Sequence, residues 1–247
     1  MKKLLYSLLI IFVLFAFLGC DEDPEEDIVA PSNLMLESAG DGTSLLLTWT
    51  ESTTEDVSYR ITFNGATVTE DLTTNTYTHN APEELGEYSV VAYTEDQVSD
   101  PTTASSATYS GSTSDYVWKF TSSGQSGYGW YADGTGEHYS FTTENFEYID
   151  VYLDNDLDIV SPDVENGSAN TTYLVNSGDY DIDAAPSDPA SYSNNAAAGL
   201  NDVFVAMIPA TGGNYYLKAQ ITSLDEGDGK IQFSYDFQTI QGFRLLD

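Results

Sequence analysis

The chain has 247 residues, 40 Asp and Glu against 7 Lys and Arg, a formal net charge of −33 and one Cys. So few basic residues cannot neutralise the phosphates of a duplex, which excludes nucleic acid as a partner, and one Cys excludes an internal disulfide framework and any multi-cysteine zinc site. Hydrophobic residues at 41% and aromatic residues at 13% exclude a simple disordered acidic chain.

The N-terminus reads MKKLLYSLLIIFVLFAFLGC. Lys2 and Lys3 form a positive start, and Leu4 to Leu18 is almost entirely apolar but shorter than a spanning helix requires. The only Cys follows Gly19 directly. The segment resembles a bacterial lipoprotein signal, with Phe17 where that pattern usually has Leu. The resemblance implies cleavage after residue 19 and acylation of Cys20, where several acyl chains hold a protein on a membrane that one would not. Next comes DEDPEED, residues 21 to 27, a self-repelling tether within residues 20–28. Acidic runs at this place resemble the surface-export signal of Bacteroidetes-type lipoproteins. The expected location is therefore the cell outer membrane, lipid-anchored and facing outward.

From residue 29 the pattern becomes one of short strands and turns. Leu45, Leu47 and Trp49 alternate with other residues, as do Tyr59, Ile61 and Phe63 and then Tyr88, Val90 and Ala92. Asn64-Gly65 is a hairpin signal between two such runs. About seven short strands in residues 29–109 predict an immunoglobulin-like sandwich. Pro31, Trp49, Tyr59, the Tyr88-x-Val90-x-Ala92 run with its tyrosine-corner Tyr, and Ser99-x-Pro101 resemble a fibronectin type III domain. That family serves mostly as spacer or scaffold, so the fold by itself supplies no activity. Trp49 and Tyr88 read as core, and His79 as an incidental exposed loop residue.

Gly111 to Ser114 reads as part of a small-residue linker over residues 110–114, followed by a second domain at 115–247. This part carries most of the chain's 18 tyrosines. Tyr116 to Phe120, Tyr148 to Leu153 and Val203 to Ile208 read as strands. Tyr215 to Ile221 and Lys230 to Phe237 are expected to pair across the turn at 225–229. Ser193 to Asn201 is the one stretch with helical character. The chain is thus all-β: a fibronectin type III sandwich followed by a second antiparallel sandwich or jelly roll. The segments Asp202 to Val205, Thr211 to Ile221 and Lys230 to Tyr235 resemble the closing strands of HmuY-like surface lipoproteins, some of which bind haem. Haem needs axial ligands, and this domain offers only His138 and a core-like Met207, so haem is not expected.

Two candidate sites stand out. Trp118, Tyr128, Trp130, Tyr131, His138 and Tyr139 cluster in a Gly-rich stretch that reads as loops. Aromatic rings in loops either stack on sugar faces or flat ligands, or belong partly to the sandwich core. Asp154, Asp156 and Asp158 form a D-x-D-x-D run, and Asp179, Asp181 and Asp183 a second. Such runs either hold a structural calcium or form a solvated face, and Ile159 stands where a calcium loop wants Gly. No Gly-x-Ser-x-Gly elbow is present, and with 40 acidic residues no single carboxylate pair is informative. The expected function is non-enzymatic: a surface-anchored binding lipoprotein that presents its second sandwich to a glycan or small flat ligand. The alternatives are a structural or adhesive envelope protein that contacts a partner protein, and an accessory subunit of a glycoside hydrolase.

Overall fold

The computed structural model describes residues 27–167, 169–178 and 182–246. The lipoprotein signal, Cys20 and most of the acidic tether lie outside the described residues, as do Asp179 and Asp181.

The first sandwich follows from the alternating runs. Strands β1 (Ser32–Ala39), β2 (Ser44–Thr50) and β5 (Thr76–His79) form a three-stranded sheet in the order β1-β2-β5. Strands β3 (Ser58–Phe63), β4 (Ala66–Leu72), β6 (Glu87–Tyr93) and β7 (Thr102–Ser105) form a four-stranded sheet in the order β4-β3-β6-β7. This three-plus-four arrangement is that of a fibronectin type III sandwich. Side chains of a strand alternate between its faces. The inward set is therefore Leu45, Leu47, Trp49, Tyr59, Ile61, Phe63, Tyr88, Val90 and Ala92, all buried in one cluster. The β3–β4 turn has positive φ at both Asn64 (49°) and Gly65 (79°), as a tight hairpin of this hand requires. His79 is not a loop residue. It ends β5, is half-buried, and its Nδ1 lies 2.7 Å from the hydroxyl of the fully buried Tyr88. A buried phenol needs such a partner.

The second sandwich has two sheets. One runs in the order β11-β10-β12-β13-β15, from β10 (Gly127–Trp130), β11 (Gly136–Tyr139), β12 (Val151–Leu153), β13 (Asp158–Val160) and β15 (Asn195–Ala197). The other runs in the order β14-β16-β17-β18-β8, from β8 (Tyr109–Ser112), β14 (Tyr173–Asn176), β16 (Val203–Ala210), β17 (Gly213–Asp225) and β18 (Lys230–Gln238). A short β9 (Val117–Trp118) also pairs with β18. Ile231, Phe233, Tyr235 and Phe237 of β18 alternate into the core opposite Leu153, Ile159 and Tyr128.

Two expectations are corrected here. Gly111 and Ser112 are not linker: they pair with Tyr235 and Ser234 as part of an edge strand. Glycine suits this strand because a Cβ at Gly111 would lie 2.5 Å from the Tyr235 ring. The Ala-rich stretch at 193–201 is extended rather than helical, because Asn195, Ala196 and Ala197 pair with Val160, Ile159 and Asp158. Ladder bonds and burial of Ala196 override a weak helical preference.

The two sandwiches are joined twice. The chain passes directly from β7 into β8, and residues 240–246 return to the first sandwich. Phe243 is fully buried in the first core, with Ile240 and Leu245 packed beside it. Arg244 donates from Nε to Asp41 O at 2.8 Å and from Nη1 to Ala185 O at 2.6 Å, and its own N–H reaches Gly42 O at 2.8 Å. The buried Gln238 amide bonds Ser106 O at 3.2 Å and Leu245 O at 3.1 Å. Gly42, at φ 89°, lets the β1–β2 turn meet this segment, since a Cβ there would stand 2.5 Å from Gly242 O.

Candidate functional site

The aromatic cluster divides by strand face. The sequence Gly127-Tyr128-Gly129-Trp130 is not a loop but strand β10. Tyr128 and Trp130 point into the sandwich, where Tyr128 is 1% exposed and Trp130 packs against the same core. Their rings lie 5.1 Å apart, and the His138 ring stands edge-on to Tyr128 at 4.9 Å. Burial pushes the His138 pKa below its ordinary value, so the ring is neutral near pH 7. Both of its nitrogens, and Trp130 Nε1, are buried without a hydrogen-bond partner among the described residues. Tyr128 is therefore a core residue, with the half-buried Trp130 and His138 rings packed against it.

The two glycines serve the other face. A Cβ on Gly129 would lie 1.8 Å from Tyr148 O, and one on Gly127 2.7 Å from the Ile149 side chain. The segment Tyr148–Asp150 thus crosses directly over the glycine face of β10. The run expected as one strand from Tyr148 keeps strand geometry only at Val151–Leu153. Where it leaves the ladder, Asp150 maintains the connection. Its N–H donates to Tyr128 O at 3.0 Å, and its carboxylate Oδ2 accepts the Trp130 N–H at 2.8 Å.

This crossing builds an outward cleft of about 290 Å³, lined by Gly129, Trp130, Tyr131, Tyr139, Glu147, Tyr148 and Asp150. Tyr131 and Tyr148 are 47% and 48% exposed. The rings of Tyr139 and Tyr148 stack, with centroids 5.8 Å apart and planes 20° from parallel. The phenol edges are fixed: Tyr131 donates to Glu137 Oε2 at 2.8 Å, Tyr139 donates to the same atom at 3.2 Å, and the two hydroxyls lie 2.9 Å apart. Such anchoring lowers the ordering cost of binding. Asp150 is 6% exposed, and burial raises its pKa to about 7 against the smaller, lowering effect of the Trp130 N–H bond. Tyr131 and Tyr139 were legible as candidates. Tyr148, Glu137, Glu147 and Asp150 were not, because only the crossing over β10 brings them together.

Trp118 sits elsewhere. Lys230 Nζ lies 4.8 Å from the centres of both the Trp118 and Tyr116 rings, and ion-pairs with Asp228 at 2.6 Å and Asp225 at 3.4 Å. The indole face is occupied by the chain's own ammonium.

The first aspartate of the D-x-D-x-D run is engaged in a local turn. Asp154 Oδ1 accepts the N–H groups of Asp156 and Asp158, each at 2.9 Å, and so closes the β12–β13 turn. Among the described residues no group of three His, Cys, Asp or Glu is placed to hold a metal ion. Short Asp side chains at such spacing bond local backbone by preference, which is the turn chemistry seen here.

No protein-family model and no curated protein matches the chain. Among solved structures, an FN3tt mutant is similar at 23% identity, covering 32% of this chain and 96% of its own, with a TM-score of 0.27. A two-domain fibronectin type III segment from chicken tenascin is similar at 12% identity, covering 84% of this chain and 98% of its own, also with a TM-score of 0.27.

Proposed function

We propose that this is a non-enzymatic, surface-anchored binding lipoprotein whose second sandwich holds a glycan in the Tyr131–Tyr139–Tyr148 cleft, while the fibronectin type III domain serves as its stand. The observation that carries this reading is the pair of half-exposed tyrosine rings, Tyr131 and Tyr148, beside the stacked Tyr139 in a cleft with a polar rim. Sugar rings present an apolar C–H face and a polar edge. Fixed phenol faces and the Glu137 and Glu147 carboxylates match both. The anchor rests on the sequence: the sole Cys stands at residue 20 behind a short apolar run, followed by the acidic tether.

Two experiments test the two halves. The full chain, applied to a glycan array, is expected to bind a defined set of sugars, and Tyr131→Ala and Tyr148→Ala are expected to abolish that binding with the fold intact by circular dichroism. An array without signal, or signal unchanged in both variants, removes the glycan reading. Cys20→Ser is expected to move the protein from the membrane to the soluble fraction, and persistent membrane association removes the anchor.

A further inference from the structure

The charge in the cleft points to a narrower ligand class. Its titratable lining is Tyr131, Tyr139, Glu147, Tyr148 and Asp150, with Glu137 at the rim, and no Lys, Arg or His lines it. His138, on β11, turns its ring to the opposite face, against Tyr128. Asp150 is the telling member. It is nine-tenths buried yet lines the cleft, and one backbone N–H, from Trp130, reaches its carboxyl among the described residues. A buried carboxyl without a counter-ion is costly to ionise, and a cation delivered by a ligand would remove that cost.

The same domain already shows an ammonium held by this combination of groups. Lys230 Nζ rests over two aromatic faces, Trp118 and Tyr116, and against two carboxylates, Asp225 and Asp228. The tyrosine cleft offers aromatic faces and carboxylates without a lysine of its own. Resting on the glycan reading above, we propose that the cleft selects glycans bearing a protonated amine, with the ammonium against Asp150 and Glu147 and the ring face on the tyrosines. Aromatic faces attract cations through the ring quadrupole, and a partly desolvated carboxylate is screened less than a surface one.

The test compares three ligands of equal length on the full chain by calorimetry at about pH 7, where the Asp150 carboxyl ionises: a glucosamine tetramer, its N-acetylated counterpart and a neutral glucose tetramer. N-acetylation removes the charge and keeps the ring. The expected result is binding of the glucosamine tetramer at least about tenfold tighter than either neutral tetramer. That advantage should shrink with added salt and fall several-fold in Asp150→Asn, which keeps an acceptor for the Trp130 N–H. Because the wild-type ligand comparison needs no variant, a folding defect in Asp150→Asn would not decide the matter. Equal affinity for the charged and N-acetylated tetramers overturns the amine selectivity and leaves the glycan reading standing. Failure of all three ligands, with sugars without amines bound on the array, overturns the amine selectivity alone. An array with no signal of any kind removes the glycan reading itself.

Discussion

Asp150→Asn isolates the energetic consequence of burying an acid beneath the tyrosine cleft. Burial moves the Asp150 pKa from 3.8 to about 7. The unfolded chain releases this proton near its ordinary value and the folded chain only near pH 7. Between those limits the folded state holds a proton that the unfolded state lacks. Stability therefore falls as pH rises through that window and levels off above it. At about 1.4 kcal/mol per pH unit, ionising Asp150 in place costs the folded state about 4 kcal/mol. Asparagine does not titrate. It retains an acceptor for the Trp130 N–H and adds an amide donor whose burial cost does not depend on pH. The remaining carboxylates are common to both proteins and cancel in the difference. The assay is thermal melting of wild type and Asp150→Asn by circular dichroism, from about pH 4 to about pH 8. The melting temperature of the variant relative to wild type should climb across this range by up to about 10 °C for a chain of this size. A difference that stays constant with pH would refute the reasoning, because it would mean that Asp150 ionises in the folded state as freely as in the unfolded one.

Three further outcomes follow from the packing. Phe243→Ala empties a fully buried position in the first core and should cost about 3–5 kcal/mol, read by denaturant unfolding of a variant in which Trp49 is the remaining tryptophan, although residue 243 lies outside the first sandwich in sequence; an unchanged midpoint would mean the segment does not dock. Gly42→Ala should destabilise well beyond Gly65→Ala. Both sit at positive φ, at 89° and 79°, but only at Gly42 does the added methyl meet backbone, while nothing lies within 4 Å of it at Gly65; the conformational cost alone is about 1 kcal/mol. Burial holds the His79 pKa below 6.5, so this residue contributes stability that is lost as pH falls below that value. An NMR titration should place its midpoint under 6.5, and a midpoint above it would contradict the buried contact with Tyr88.

The first sandwich was legible because its information is local. Leu45-x-Leu47-x-Trp49 and Tyr88-x-Val90-x-Ala92 carry their inward face in the period of the strand itself, and Asn64-Gly65 carries its turn. The cleft was legible only in part because its information is not local. Gly127 and Gly129 read as loop residues, since glycine without context signals a turn. Their actual task, admitting the backbone of Tyr148 and the side chain of Ile149, is set by residues about twenty positions later. The exposed Tyr131 could be suspected from composition. Asp150 could not, as one carboxylate among 40 acidic residues becomes distinctive only when burial removes its water. The aspartate run carries local information too: its first carboxylate closes a turn.

The return of residues 240–245 to the first sandwich bears on the order in which the chain can fold. A domain built from residues 28–105 alone would lack the Phe243 side chain in its core and the Arg244 bonds to its β1–β2 turn. During synthesis, a sandwich at the leading end usually folds before its neighbour has emerged. Here the leading sandwich stays incomplete until well over a hundred further residues have left the ribosome. The first core therefore closes only once residue 243 is available, and a chain that stops short of it leaves that core open.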